Sequence, residues 1–153
     1  QPFYMDSWKK TCSNAETYDE AMANCWEGFD RKGWRLWYQN YQFQEENTRT
    51  FMSSNAVGGF QQRSDEIRKW AFGVMDVLGT EEAGLEIKGL WLFRGDTVQH
   101  MKDANDDANW YDWTKLAGPG LEPTDEVKKQ VQDFWCSENE LEGKPVQDSK
   151  VFK

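Results

Sequence analysis

The sequence predicts an α+β domain, a central antiparallel sheet of about five strands flanked by helices. A helical apolar period over residues 17–29 gives way at Trp34 to a period of two. Segments then follow as helix, helix, strand, strand, helix, strand, strand, strand, helix, and most strands are joined without a long helical crossover, which is antiparallel connectivity. At 153 residues the chain has the size of one domain around one core, spanning 1–153.

Asp6 or Ser7 caps a short first helix over residues 6–12, with Trp8 and Cys12 on its buried side. Thr17 and Glu20 form a capping box for the second, whose stripe is Tyr18, Ala21, Met22, Cys25, Trp26 and Phe29. From Trp34 one strand face carries Trp37, Gln39, Tyr41 and Phe43, and the other Trp34, Leu36, Tyr38, Asn40 and Gln42. Residues 48–54, rich in Thr with Phe51 and Met52, read as a strand returning from the acidic corner at Glu45 and Glu46. Gly58 and Gly59 break the pattern ahead of a helix over 60–70 with Phe60, Ile67 and Trp70 buried, Ser64 in an apolar slot, and an Asp65–Lys69 pair.

Residues 71–78 and 87–94 form a second hairpin in which Gly73 and Gly89 mark bulges or the close approach of a large ring. A polar loop over 95–109 leads to a strand at 110–116 and a GPGLEP linker. The last helix starts at cap Thr124 with Asp125 and Glu126 at its positive end and Val127, Val131, Phe134 and Trp135 on one face. Beyond Cys136 a polar tail either frays or docks through Val151 and Phe152.

Nine Trp, nine Phe and five Tyr must supply much of the burial, and each buried Trp or Tyr needs a hydrogen-bond partner. A net charge of -9 opposes a general grip on nucleic acid. The longest apolar cluster, residues 90–93, is far too short for a transmembrane segment, and no signal peptide is visible. Three cysteines without CxxC spacing fit a reduced, cytoplasmic setting, and a chain beginning at Gln1 reads as a fragment of something longer.

Catalytic chemistry finds little footing. The lone His100 falls in the polar loop, and no P-loop or dinucleotide glycine pattern occurs. Asp103, Asn105, Asp107 and Asn109 alternate like a calcium loop, but Ala108 stands where Gly is needed and Thr114 where Glu is needed, so a solvated loop is the reading. Cys12, Cys25 and Cys136 sit on or beside buried helical faces, as small hydrophobes rather than nucleophiles. No cofactor, metal set or catalytic residue is expected. The alternatives are an RNA-contacting patch of Trp34, Tyr38 and Arg94 or, more remotely, a thiol-dependent enzyme.

Trp26-Glu27, Phe29-Asp30, Gly33-Trp34, Leu36-Trp37-Tyr38, Tyr41, Phe43, Glu45-Glu46, Thr48 and Thr50-Phe51-Met52-Ser53 with Asn55 stand in a distinctive order. Further on come Phe60-Gln61, Arg63, Arg68-Lys69, Ala71-Phe72, Gly79-Thr80, Gly89, Trp91, Phe93-Arg94-Gly95, Asp112-Trp113, Lys115-Leu116 and Val151-Phe152-Lys153. Together they resemble the C-terminal conserved domain of the gamma subunit of eukaryotic translation elongation factor 1. Gln44 departs from a usual proline, Ser54 from a cysteine, and Asn47 and Ser64 from leucines. The resemblance implies a non-catalytic scaffold or anchoring domain of the nucleotide-exchange complex. The other subunits of elongation factor 1 would be its partners, mainly through a glutathione-transferase-like N-terminal domain absent here. It also implies association in general terms with RNA, membranes or cytoskeleton, on no particular residues.

Overall fold

The computed structural model describes residues 34–94, 98–118, 121, 124–136 and 140–152. The helices expected over 6–12 and 17–29 lie outside them. Six strands, β1 (Trp34–Tyr41), β2 (Ala71–Thr80), β3 (Gly84–Arg94), β4 (Tyr111–Ala117), β5 (Glu140–Leu141) and β6 (Lys144–Phe152), form one curled sheet in the order β4-β1-β3-β2-β6-β5. Every neighbouring pair is antiparallel. Among the described residues three α-helices, α1 (Thr50–Arg63), α2 (Val98–Ala104) and α3 (Asp125–Cys136), join the sheet in an α+β fold. None of the described helices is long and apolar enough to cross a membrane.

The period of two sorts the sheet into two buried faces. Leu36, Leu90 and Leu92 share one face with Val131 and Phe134 of α3. Met75, Ile87, Trp91 and Phe93 share the other with Val57 and Phe60 of α1 and Met101 of α2. On this second face Trp91 is fully buried, stacked on Phe93 at 5.6 Å, with Phe152 at 5.3 Å. Its indole N–H donates to Gln39 Oε1 at 2.7 Å. Gly73 stands opposite Trp91 in the β2–β3 register, and the indole lies where a side chain at Gly73 would begin. Close ring approach thus explains Gly73, whereas at Gly89 the space is taken first by the Gln39 amide oxygen that accepts from that indole.

The strand expected over 48–54 is instead the start of α1, and β1 takes β3 and β4 as its partners. The helical stripe is Ser53, Val57, Phe60 and then Ser64, which follows the helix; two serines on it hid the period. Gly58 and Gly59 are inside the helix, where each costs about 1 kcal/mol relative to Ala, offset by burial of Val57 and Phe60. The Thr50 N–H donates to Glu81 Oε1 at 2.9 Å, so an acid from the β2–β3 turn satisfies the helix start. The helix expected over 60–70 ends at Arg63 and continues as a 3₁₀ turn, Asp65–Trp70, in which Asp65 pairs with Arg68 three residues on, at 2.7 Å; the Lys69 side chain lies outside the described residues.

The β2–β3 hairpin is longer than its apolar runs, reaching Thr80 and Gly84. The loop over 95–109 contains α2 and a 3₁₀ turn, Asp106–Trp110. Thr124 caps α3 as expected, its Oγ1 accepting from the Val127 N–H at 3.1 Å. The polar tail docks as β5 and β6, with Phe152 buried on Trp91. In the middle of β2, Asp76 is fully buried between Lys88 and Ser149 in register, and neither carboxylate oxygen has a hydrogen-bond partner. Burial pushes its carboxyl up to about 6; Ser149 acts against that and Asp148 adds to it.

Candidate functional site

Of the three residues read as a binding patch, Trp34 and Arg94 are directly paired across β1 and β3, and Tyr38 lies opposite Leu90. The side chains of Trp34 and Arg94 lie outside the described residues. Tyr38 is half-buried: Phe134 of α3 meets its ring edge-on at 5.6 Å, and its hydroxyl donates to Glu142 at 3.3 Å. The face at Leu36 and Tyr38 is thus covered by α3 and the β5–β6 turn.

Lys88 anchors that cover. Its Nζ donates to Glu142 Oε1 at 2.9 Å and lies 3.4 Å from Glu86, which also accepts from Lys144 at 2.6 Å. Burial alone would lower the Lys88 ammonium, but Glu142 and Tyr38 outweigh it and hold it above its ordinary value. Burial, aided by Glu142, pushes the Tyr38 phenol up to about 12 against the pull of Lys88. Burial raises Glu86 in turn, and Lys144 with Lys88 overcome it, leaving that carboxyl below its usual range. Tyr38 and Lys88 therefore keep their protons near neutral pH, and the network clamps the turn to the sheet rather than moving protons.

A second cluster lies where β1 ends and β4 begins. Tyr41 pairs with Tyr111 in register, and the Gln42 N–H donates to the Trp110 carbonyl at 3.0 Å. Ring centroids follow at 5.1 Å for Tyr41–Tyr111, 5.9 Å for Tyr41–Phe43 and 5.7 Å for Phe43–Trp110. Trp110 is nonetheless 53% exposed. With Asn55, Ala56 and Arg63 of α1, Tyr41, Trp110 and Tyr111 bound a cleft of about 280 Å³. Phe51 and Met52, both exposed, lie one helical turn back from Asn55 and Ala56.

The cleft lining carries one acid, Asp107, and one base, Arg63, and two further acids, Glu45 and Glu46, act on Tyr41 from the turn after β1. Arg63 is committed to Asp107 at 2.8 Å. Burial, then Glu46, Glu45 and Asp107, raise the Tyr41 phenol, and burial with Tyr41 and Asp107 raises Tyr111 against Arg63. Aromatic walls beside carboxylates recognise a group; they offer no nucleophile or proton relay. Sequence reasoning placed Tyr41 and Phe43 on a core face and Trp110 at a strand start. The available signal was the position of Phe43 and Trp110 beside two acidic runs, Glu45-Glu46 and DANDDAN.

The four oxygen-bearing residues of the calcium-like spacing serve separate local bonds. Asp103 accepts from Gln99 at 2.9 Å, Asp107 pairs with Arg63, and Asn109 donates to the Asp106 carbonyl at 3.2 Å. Asn105 is buried, accepts from the Asp107 N–H at 3.0 Å and donates to Ser64 Oγ and to the Phe60 carbonyl. His100 is exposed on α2. Cys12, Cys25 and the Cys136 side chain lie outside the described residues.

Over residues 1–97 the chain matches the family described as Elongation factor 1 gamma, conserved domain. The chain belongs to the elongation factor 1-gamma family. It is 38% identical over 152 residues to elongation factor 1-gamma 2 of Oryza sativa subsp. japonica, an alignment covering 97% of the chain and 35% of that protein. Elongation factor 1-gamma of Rattus norvegicus is 39% identical over 155 residues, covering 99% and 34%, and elongation factor 1-gamma-A of Xenopus laevis 37% over the same lengths. The chain thus spans about a third of the length of these relatives.

Four positions were read as departures from the elongation factor 1-gamma pattern, and each makes side-chain hydrogen bonds here. The Gln44 amide donates to the Ile87 carbonyl at 3.0 Å and accepts from the Ile87 N–H at 2.9 Å, extending the ladder past the end of β1. Asn47 donates to Gln44 Oε1 at 2.9 Å. Ser54 donates to Asp148. Ser64, in its apolar slot, donates to the Phe60 carbonyl at 2.9 Å and accepts from Asn105.

Proposed function

We propose that this domain is a non-catalytic scaffold or anchoring module of the translation elongation factor 1 nucleotide-exchange complex, acting in the cytoplasm during protein synthesis. Family membership supports the setting. The observation that carries the binding role is the cleft lined by Tyr41, Trp110 and Tyr111, where Trp110 stays open to solvent although Phe43 packs against its ring. Its partners are then the other elongation factor 1 subunits, joined mainly by the region of the longer protein that precedes this one. The test is a pull-down of the chain from nuclease-treated and untreated lysate, read by mass spectrometry for elongation factor subunits and ribosomal proteins. Recovery of the subunits, reduced by Trp110→Ala, is expected; recovery of neither class would overturn the reading.

RNA contact at Trp34, Tyr38 and Arg94 is the second reading, although the cover of α3 and Glu142 over Tyr38 leaves it to rest on the other two residues. It draws on the direct Trp34–Arg94 pairing, which sets an aromatic residue beside a cation. It predicts binding to single-stranded RNA that collapses as salt is raised.

A further inference from the structure

Resting on the scaffold reading, we propose that the cleft between the end of β1, the start of β4 and α1 binds the guanidinium or ammonium group of a basic, extended protein segment. The cation would lie against Trp110 and Tyr41, on the side of the cleft where Tyr41 neighbours the Glu45-Glu46 turn.

The walls and the rim select this occupant together. Trp and Tyr faces attract a cation electrostatically within about 6 Å, and the attraction grows as water is excluded. Glu45 and Glu46 are exposed, and no basic side chain among the described residues pairs with either. Arg63 lines the cleft but is already held by Asp107 at 2.8 Å, so the exposed Glu45 and Glu46 beside Tyr41 are the carboxylates left to meet a cation at the exposed Trp110. A nucleic acid could stack on Trp110, but its phosphates would meet those carboxylates and a chain of net charge -9. A neutral proline-rich segment would use the rings and leave the carboxylates idle. At about 280 Å³ the cleft suits one side chain rather than a larger ligand, and exposed Phe51 and Met52 on α1 offer apolar footing for the flanking residues.

The experiment titrates the full chain with an Arg–Gly repeat peptide by isothermal calorimetry, alongside the same peptide with citrulline for arginine, a neutral Pro–Gly peptide and an oligouridine. The Arg–Gly peptide should bind and the other three should not. Trp110→Ala should weaken it about tenfold, and Glu45→Gln with Glu46→Gln about fivefold while flattening its salt dependence. Asp133→Asn, on α3 across the sheet, should leave binding unchanged. Equal binding of the citrulline peptide, the Pro–Gly peptide or oligouridine, or indifference to Trp110→Ala, overturns the proposal. If Trp110→Ala spares peptide binding yet loses the elongation factor subunits, the cation site fails and the scaffold reading stands. If peptide binding behaves as expected but no subunit is captured, the scaffold reading is the one that fails.

Discussion

Replacing Asp76 with Asn removes a buried charge from the middle of β2 while keeping the shape of the side chain. In the folded protein the Asp76 carboxyl is raised from 3.8 to about 6, chiefly because burial penalises the ionised form; Ser149 opposes the rise only in part, since neither carboxylate oxygen makes a hydrogen bond of good geometry. A displacement of that size corresponds to about 3 kcal/mol between the charged and neutral forms. Above pH 6 the group is ionised in both folded and unfolded chains, and the folded state carries the whole penalty. As pH falls from about 6 towards 4 the folded state holds a proton that the unfolded chain has lost, so stability rises through that window. Asp76→Asn should therefore stabilise the protein by about 1 to 3 kcal/mol at about pH 7.5, part of the gain depending on whether the new amide reaches Ser149 opposite. Near pH 4.5 the advantage should shrink by most of that amount. Urea denaturation of both proteins, followed by Trp fluorescence at several pH values, measures it, and the difference between them cancels the other acids. A difference that stays flat with pH, or a variant less stable at pH 7.5, would refute the assignment of an unpaired buried charge.

Gly73→Ala places a methyl group in the Trp91 indole across a fixed register, and should cost about 2 to 3 kcal/mol, seen as a lowered thermal midpoint. Gln44→Ala leaves the Ile87 N–H and C=O without their partner; a loss of about 2 kcal/mol should come with faster hydrogen exchange at the Ile87 amide, and unchanged protection there would contradict the ladder role. Gln39→Leu strips the buried Trp91 indole N–H of its acceptor, for about 1 to 3 kcal/mol, with exchange of that indole proton as the specific readout.

Legibility in the sequence followed how local each determinant is. Thr124 with Val127, Val131 and Phe134 after it, and Gly73 facing a large ring across the β2–β3 hairpin, are settled by near neighbours and were readable. By contrast, α1 was hidden because Ser53 and Ser64 occupy buried stripe positions; Ser64 is satisfied by Asn105, some forty residues away in sequence. The half-buried positions of β6 include Lys144, Asp148 and Lys150, whose partners come from β3, α1 and β6 itself, so its alternation carries little apolar signal. The aromatic cleft fared likewise. Tyr41 and Tyr111 meet only because β4 takes the outer edge of β1, an ordering that no local period encodes.

The placement of β6 also sets a timetable for synthesis. β2 is buried along nearly its whole length, yet one of its two hydrogen-bonding edges is closed by β6, which is translated after every other long strand. A nascent chain that has produced everything through α3 therefore presents an open edge of Val74, Met75 and Val77 to any passing strand. Ribosome-bound intermediates of that length would be natural clients for chaperones.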